Sequence, residues 1–398
     1  MNTTTASAAT TVNPAPSSER NYLFVSRGMD FLLLGGISLL LWIPFYFLSG
    51  QSALIGSMGL ALPALAVTLG YWVNYPHFMA SYKLAYTQGS TFIRSNWFQL
   101  VFVPIAMVLL LAIAFVYWGK AIGDSGVVLS INNFLDGIGL KTRVGNYPNL
   151  GMELLGYFVL FMYFTVGWHY SKQTFGCMMV YAKFDQYPLS GIERNLIRYS
   201  LLSTWWLTWL YSNCSPGTFP FYGLTIHRLN LPYVWFQISY VVVAFMFSAL
   251  VIMFLLKYRT LKKTPSLNFL VPMLALLTWH VPLFGQPQLF VVIALFHSLQ
   301  YFPFVARVEA TRYRKEKRTY PVGRLAGFFL LMVAFGYMAF EYVPNTLDLQ
   351  TNATTQFGLG FFIIAIVTYI NIHHYFIDNV LWRFKNKDVR EMLFDRGK

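Results

Sequence analysis

Residues 232–256 read PYVWFQISYVVVAFMFSALVIMFLL, without a charged side chain anywhere in the stretch. Lys257, Arg259, Lys262 and Lys263 follow at once. A helix needs about 20 mostly apolar residues to cross a bilayer's hydrocarbon core. This run is long enough, has an aromatic start and stops at a basic cluster, which is the pattern of a spanning segment with interfacial anchors.

Working outward, nine further segments read the same way: roughly 31–49, 53–75, 97–118, 153–181, 197–212, 267–283, 287–305, 323–343 and 357–380. The sequence therefore predicts an all-α, polytopic membrane bundle of about ten transmembrane helices. Gly285, Gln286 and Pro287 leave room for only a tight turn between two of them. The basic residues support an alternating path with both termini cytoplasmic. One side receives Arg20, Arg27, Lys83, Arg94, Lys183, Arg194 and Arg198, the four residues from Lys257 to Lys263, seven from Arg307 to Arg324 and six from Arg383 to Lys398. The other side receives Lys120, Lys141, Arg143 and Arg228, while Lys172 falls inside a span. Loops rich in Lys and Arg stay on the cytoplasmic side.

Composition agrees. Of 398 residues, 56% are hydrophobic and 11% charged, with a mean hydropathy of +0.50. Soluble domains carry roughly 25% charged residues. The net charge of +14 is explained by topology, so nucleic acid is not an expected partner; the lipid bilayer is. Two cysteines, Cys177 and Cys214, permit at most one disulfide and no thiolate metal site. Residues 1–27 read as a disordered polar tail, 28–383 as a single transmembrane domain and 384–398 as a cytoplasmic tail. The expected location is an integral, multi-pass one, the inner membrane if the source is bacterial.

Histidine placement carries the functional signal. His77 (NYPHFMASY), His169 (GWHYSKQTFG), His297 (ALFHSLQYF) and the pair His373 and His374 (NIHHYFIDNVLWR) come from four predicted spans that run in the same direction. All lie toward the inner ends of those spans. Each has polar company three or four residues away, on its own helical face: Asn74 and Ser81, Gln173, Gln300 and Tyr301, Asn371 and Asp378. Polar groups in a bilayer are costly and turn inward to pair.

Neutral imidazole is the commonest metal ligand and suits Fe, Zn or Cu. The five histidines are thus candidate ligands, with His374 favoured over His373 because Asn371 and Asp378 share its face. Asn74, Gln173, Gln300 and Asn371 are candidates to orient the rings through their second nitrogens. Asp378, Tyr301 and Lys172 are the candidate catalytic side chains, and Asp378 is also a possible direct ligand. Pro76 should interrupt helix regularity beside His77.

The motifs at 74–82, 168–176, 297–301 and 371–383 resemble, at the level of class, the integral-membrane non-haem iron oxygenases. That class includes lipid desaturases and hydroxylases and the bacterial carotene-cleaving enzymes. The resemblance implies one metal, iron foremost, held by about four imidazoles. It further implies O₂ chemistry on an apolar lipid or isoprenoid and a soluble or membrane electron donor. Two other functions fit the same residues: a proton-coupled transporter built on the His/Asp/Lys cluster, and a haem-binding electron-transfer protein.

Overall fold

The computed structural model describes residues 24–48, 61, 64–122, 126–283, 290–317, 322–352, 360–383 and 386–394. Most of the expected N-terminal tail, most of the 53–75 segment's first half and the turn at 285–287 lie outside these residues.

The chain is built almost wholly of helices. The N-terminal part comprises α1 (Arg27–Phe31), a π-helical turn (Leu32–Gly36), α2 (Ile37–Leu48), α3 (Asn74–Tyr86), α4 (Ser90–Ser95), α5 (Val103–Val116) and α6 (Gly126–Gly137). The centre comprises α7 (Leu150–Phe184), α8 (Gly191–Asn213), α9 (Tyr233–Leu261) and α10 (Leu267–Leu283). The C-terminal part comprises α11 (Phe290–Lys317), α12 (Val322–Tyr337), α13 (Val343–Gln350), α14 (Phe361–Leu381) and α15 (Lys387–Phe394).

Among the described residues, five helical stretches are long and apolar enough to cross a membrane: Phe98–Val116, Leu150–Phe184, Tyr233–Leu261, Val322–Gln350 and Phe361–Leu381. Leu267–His280 is a shorter apolar one. On α9, Tyr240, Val241, Phe245 and Leu255 are exposed, which suits a surface solvated by lipid.

Three features depart from the sequence expectation. The 119–152 connection contains α6. Thr218–Phe221 and Leu224–His227 form an antiparallel hairpin, β1 and β2, turning at Tyr222 and Gly223. Four-residue strands containing Pro220 carry too little alternation to read in advance. The C-terminal segment also contains α15, whose Val389 and Leu393, one turn apart, are buried against the bundle. Cys177 and Cys214 are both free and buried.

The hub is α7, which packs against α5, α8, α10 and α14. The Asn149 side chain caps its first turn through the Met152 amide, and Glu153 accepts from the amides of Gly145 and Tyr147. The first contact satisfies a donor that the helix start leaves free; the other two fasten the preceding loop to it. At the other end, buried Asp30 accepts from Tyr181 Oη at 2.5 Å and from the Phe24 and Val25 amides, which ties α1 to α7. Glu309, fully buried on α11, pairs with Lys83 of α3 at 2.6 Å and with Arg312 at 3.2 Å.

The π-turn between α1 and α2 depends on Gly35, at φ 144° and ψ −10°. That conformation is open to glycine. It aims the Leu34 carbonyl at Gln300 Nε2, 2.7 Å away. A Cβ at Gly35 would come within 2.5 Å of the Ala275 Cβ. Gly35→Ala should therefore cost about 1–3 kcal/mol in backbone strain, plus overpacking of similar size. Thermal denaturation in detergent would show it as a clearly lowered midpoint; an unchanged midpoint would contradict this account.

Candidate metal centre

Four helices deliver one imidazole each. Before α3, the chain turns at 71–73, and Pro76 sits in the new helix's first turn, where a missing N–H is tolerated. His77 is thereby presented at the start of α3. His169 comes from the middle of α7, His297 from α11 and His374 from α14. None is more than 4% exposed.

The rings form a closed cycle. Centroid separations are 4.4 Å for His77–His374, 4.9 Å for His374–His169, 4.8 Å for His169–His297 and 5.1 Å for His297–His77. One ligand-capable nitrogen from each lies within 4.8 Å of all the others. Imidazoles bound at about 2.0–2.1 Å have nitrogens about 3.3 Å apart in a tetrahedron and about 4.2 Å apart across an octahedron. A small contraction of the cluster reaches that range.

A hydrogen-bond network alone does not account for the cluster. His169 Nε2 and His297 Nε2 are 3.0 Å apart. However, His77 Nε2, His297 Nδ1, both nitrogens of His374 and Asp378 Oδ2 have no hydrogen-bond partner. An unsatisfied buried polar atom costs about 1–3 kcal/mol, and three of the four rings carry one. A cation taking one nitrogen from each ring would give such buried atoms a partner. The donor set therefore fits a metal ion, and the described residues form a buried four-histidine group able to hold one.

His77 shows how a ring is oriented for this. Ser298 Oγ lies 2.9 Å from His77 Nδ1 and donates to Asn74 Oδ1 at 2.8 Å. With its own proton drawn to Asn74 Oδ1 or to the Ala294 carbonyl 2.9 Å away, both acceptors, Ser298 accepts from Nδ1–H. That leaves the Nε2 lone pair facing the cluster. Aromatic walls hold the remaining freedom: Tyr301 against His77, Tyr375 stacked on His169, Tyr170 against His297 and Phe78 edge-on to His374.

Asp378 completes the group. Its Oδ1 accepts from Ser81 Oγ at 2.7 Å, with Tyr301 Oη 3.4 Å away. Ser81 and Tyr301 are themselves hydrogen-bonded, and Trp382 Nε1 donates to Tyr301 Oη at 3.2 Å. The free Oδ2 lies 3.5 Å from His374 Nε2 and 3.9 Å from His169 Nε2.

The other sequence candidates fall around this core in less direct roles. His373 faces away from the four rings, with Tyr82 Oη 2.9 Å from its Nδ1 and Tyr86 Oη 3.4 Å from its Nε2. Gln173 donates to the His297 carbonyl, not to a ring, and Gln300 to the Leu34 carbonyl. Asn371 bonds its own helix at Val367 and accepts from Tyr375, so it reaches His169 only through that stacked ring. Lys172 donates to Asn379 rather than pairing with Asp378. Ser298 and Trp382 were not candidates from the sequence. Ser298 follows His297 directly, and about 100° of helical rotation turns it toward α3.

A cavity of about 540 Å³ reaches the group, with His169, Tyr301, Tyr375 and Asp378 in its lining. That volume lies within the usual range for small-molecule sites.

Comparison with known proteins returns no match: no family model, no curated protein and no solved structure resembles this chain.

Proposed function

We propose that the chain is a membrane-embedded, metal-dependent oxidoreductase that uses iron and O₂ on a lipid or isoprenoid substrate. The observation that carries this reading is the closed ring of four buried imidazoles, one ligand-capable nitrogen from each lying within 4.8 Å of the others, beside an apolar-walled cavity. Thiolates are absent from the group, and imidazoles without thiolate suit Fe, Zn or Cu. Iron is preferred because an apolar substrate offers few groups for hydrolysis, whereas non-haem iron brings one-electron and O₂ chemistry to it.

When bound, the metal would supply O₂ activation, with electrons from a soluble or membrane donor. His77, His169, His297 and His374 would hold it. The chain's own contribution is positional. Ser298 and Asn74 set the His77 tautomer, and Tyr170 and Tyr375 wall the cluster against water. Asp378 adds a carboxylate beside two of the rings, held by Ser81 and Tyr301. We read the path as about ten spans with both ends cytoplasmic, on the strength of the basic-residue distribution; a bacterial source would place it in the inner membrane.

The proton-coupled transporter is less well supported, since Lys172 pairs with Asn379 and so does not complete a Lys–Asp relay. The close packing of the four rings argues against haem, because a macrocycle has no room between them.

Elemental analysis of protein purified from metal-replete medium tests the proposal. About one equivalent of iron per chain is expected. Less than a tenth of an equivalent of Fe, Zn and Cu alike would remove it.

A further inference from the structure

The cavity that reaches His169 has a graded wall. Its floor holds His169, Tyr301 and Asp378. Trp168, Phe175, Val180, Leu202 and Phe304 make apolar sides. Arg198, Arg383 and Arg390 are exposed, and Lys172 is half-buried a single helical turn from His169. Among the described residues of the lining, the one carboxylate is the buried Asp378.

Among the described residues, no carboxylate lies within ion-pair distance of Lys172, Arg198 or Arg383. Lys172 instead donates to Asn379 and sits 4.5 Å above the Trp168 ring. Arg383 donates to the Asn379 carbonyl at 2.7 Å, which also fixes where its guanidinium stands. Lys172, Arg198 and Arg383, gathered at one cavity without a carboxylate partner among the described residues, repel one another, and the positive field they create concentrates anions. Arginine in particular binds carboxylate and phosphate oxygens in pairs.

We propose that this cavity binds an amphiphile with an anionic head, held by Lys172, Arg198 and Arg383, while its apolar chain runs inward toward His169. As a statement about substrate it rests on the oxidoreductase reading; as a statement about binding it does not. A neutral hydrocarbon would bring no counter-charge to Lys172, Arg198 and Arg383. An acidic lipid satisfies the rim and places a carbon of its chain, rather than the head, beside the four imidazoles.

Competition against the fluorescent fatty acid cis-parinaric acid tests this, with the full chain in nanodiscs of phosphatidylcholine. Oleate should compete at least about tenfold better than methyl oleate, since only the acid can make charge-assisted hydrogen bonds at the rim. A parallel arm with oleoyl lysophosphatidate tells a carboxylate head from a phosphate head; either one exceeding methyl oleate tenfold supports the proposal. Lys172→Gln, and Arg198→Gln with Arg383→Gln, should each remove most of that advantage. Arg194→Gln, a basic residue outside the lining, should leave it intact.

Competition by oleate and by oleoyl lysophosphatidate that is in both cases no better than by methyl oleate overturns the proposal, and so does an advantage that survives the rim substitutions. The wild-type comparison stands alone if the variants fail to fold. His297→Ala should keep oleate binding within about twofold. Binding is read without metal or turnover, so a metal-free protein that still prefers oleate would sink the oxidoreductase reading and leave this one standing.

Discussion

Purified His169→Ala protein is expected to carry less than about a tenth of the wild-type metal while remaining folded. The ring it removes contacts both His297 and His374, at centroid distances of 4.8 and 4.9 Å, and lines the cavity. Three imidazoles from α3, α11 and α14 would remain, with a gap on the cavity side open to water. Two controls separate this from general damage. His280 is also buried and bonded, to Thr208 at 2.9 Å, but lies outside the cluster. His373 adjoins His374 in sequence, yet its Nδ1 is 2.9 Å from Tyr82 Oη. His280→Ala and His373→Ala should both keep near wild-type metal per folded chain. If His373→Ala loses metal as fully as His169→Ala, the assignment of His374 as the α14 ligand is wrong. If His169→Ala retains wild-type metal, the four-ring centre is not the binding site.

The parts of this molecule that were legible in the sequence are those governed by one dominant free energy. An uncharged run such as 232–256 has few alternatives to a helix in lipid, since every backbone group must be satisfied internally. It appears as α9, Tyr233–Leu261. The long run at 153–181 appears likewise within α7. The short hairpin and α6 were not legible, because neither has a long apolar run. The histidines could be assigned a common depth from their place within predicted spans, and the structure gathers four of the five. The supporting residues were harder to read. Helical spacing shows that Asn371 and His374 share a face. It does not show that the Asn371 carboxamide will turn to Val367 and Tyr375, nor that Ser298 will face His77 across α3 and α11. Periodicity fixes the face a residue occupies, and only packing determines which helix that face meets.

Asp378→Asn distinguishes a carboxylate that acts on the metal from one that merely braces its neighbours. Asparagine keeps the size of the side chain and one oxygen, so it can still accept from Ser81, as Oδ1 does now at 2.7 Å. The amide nitrogen would then replace Oδ2, which lies 3.5 Å from His374 Nε2 and 3.9 Å from His169 Nε2. An N–H₂ group there points positive charge at a cation and competes for imidazole lone pairs. Loss of a partner beside metal-bound histidines commonly weakens affinity about 10–100-fold. We expect metal affinity, measured by chelator competition, to fall within that range, while the thermal midpoint of the metal-free protein stays within a few degrees of wild type. Ser81→Ala should give a smaller loss of affinity, because it frees Asp378 Oδ1 without removing the charge. If Asp378→Asn binds metal as tightly as wild type, the carboxylate's role is confined to holding Ser81 and Tyr301 in place. If instead the metal-free midpoint falls sharply, the Ser81–Tyr301–Trp382 chain depends on the charge of Asp378 for stability, and the loss of metal follows from the loss of structure.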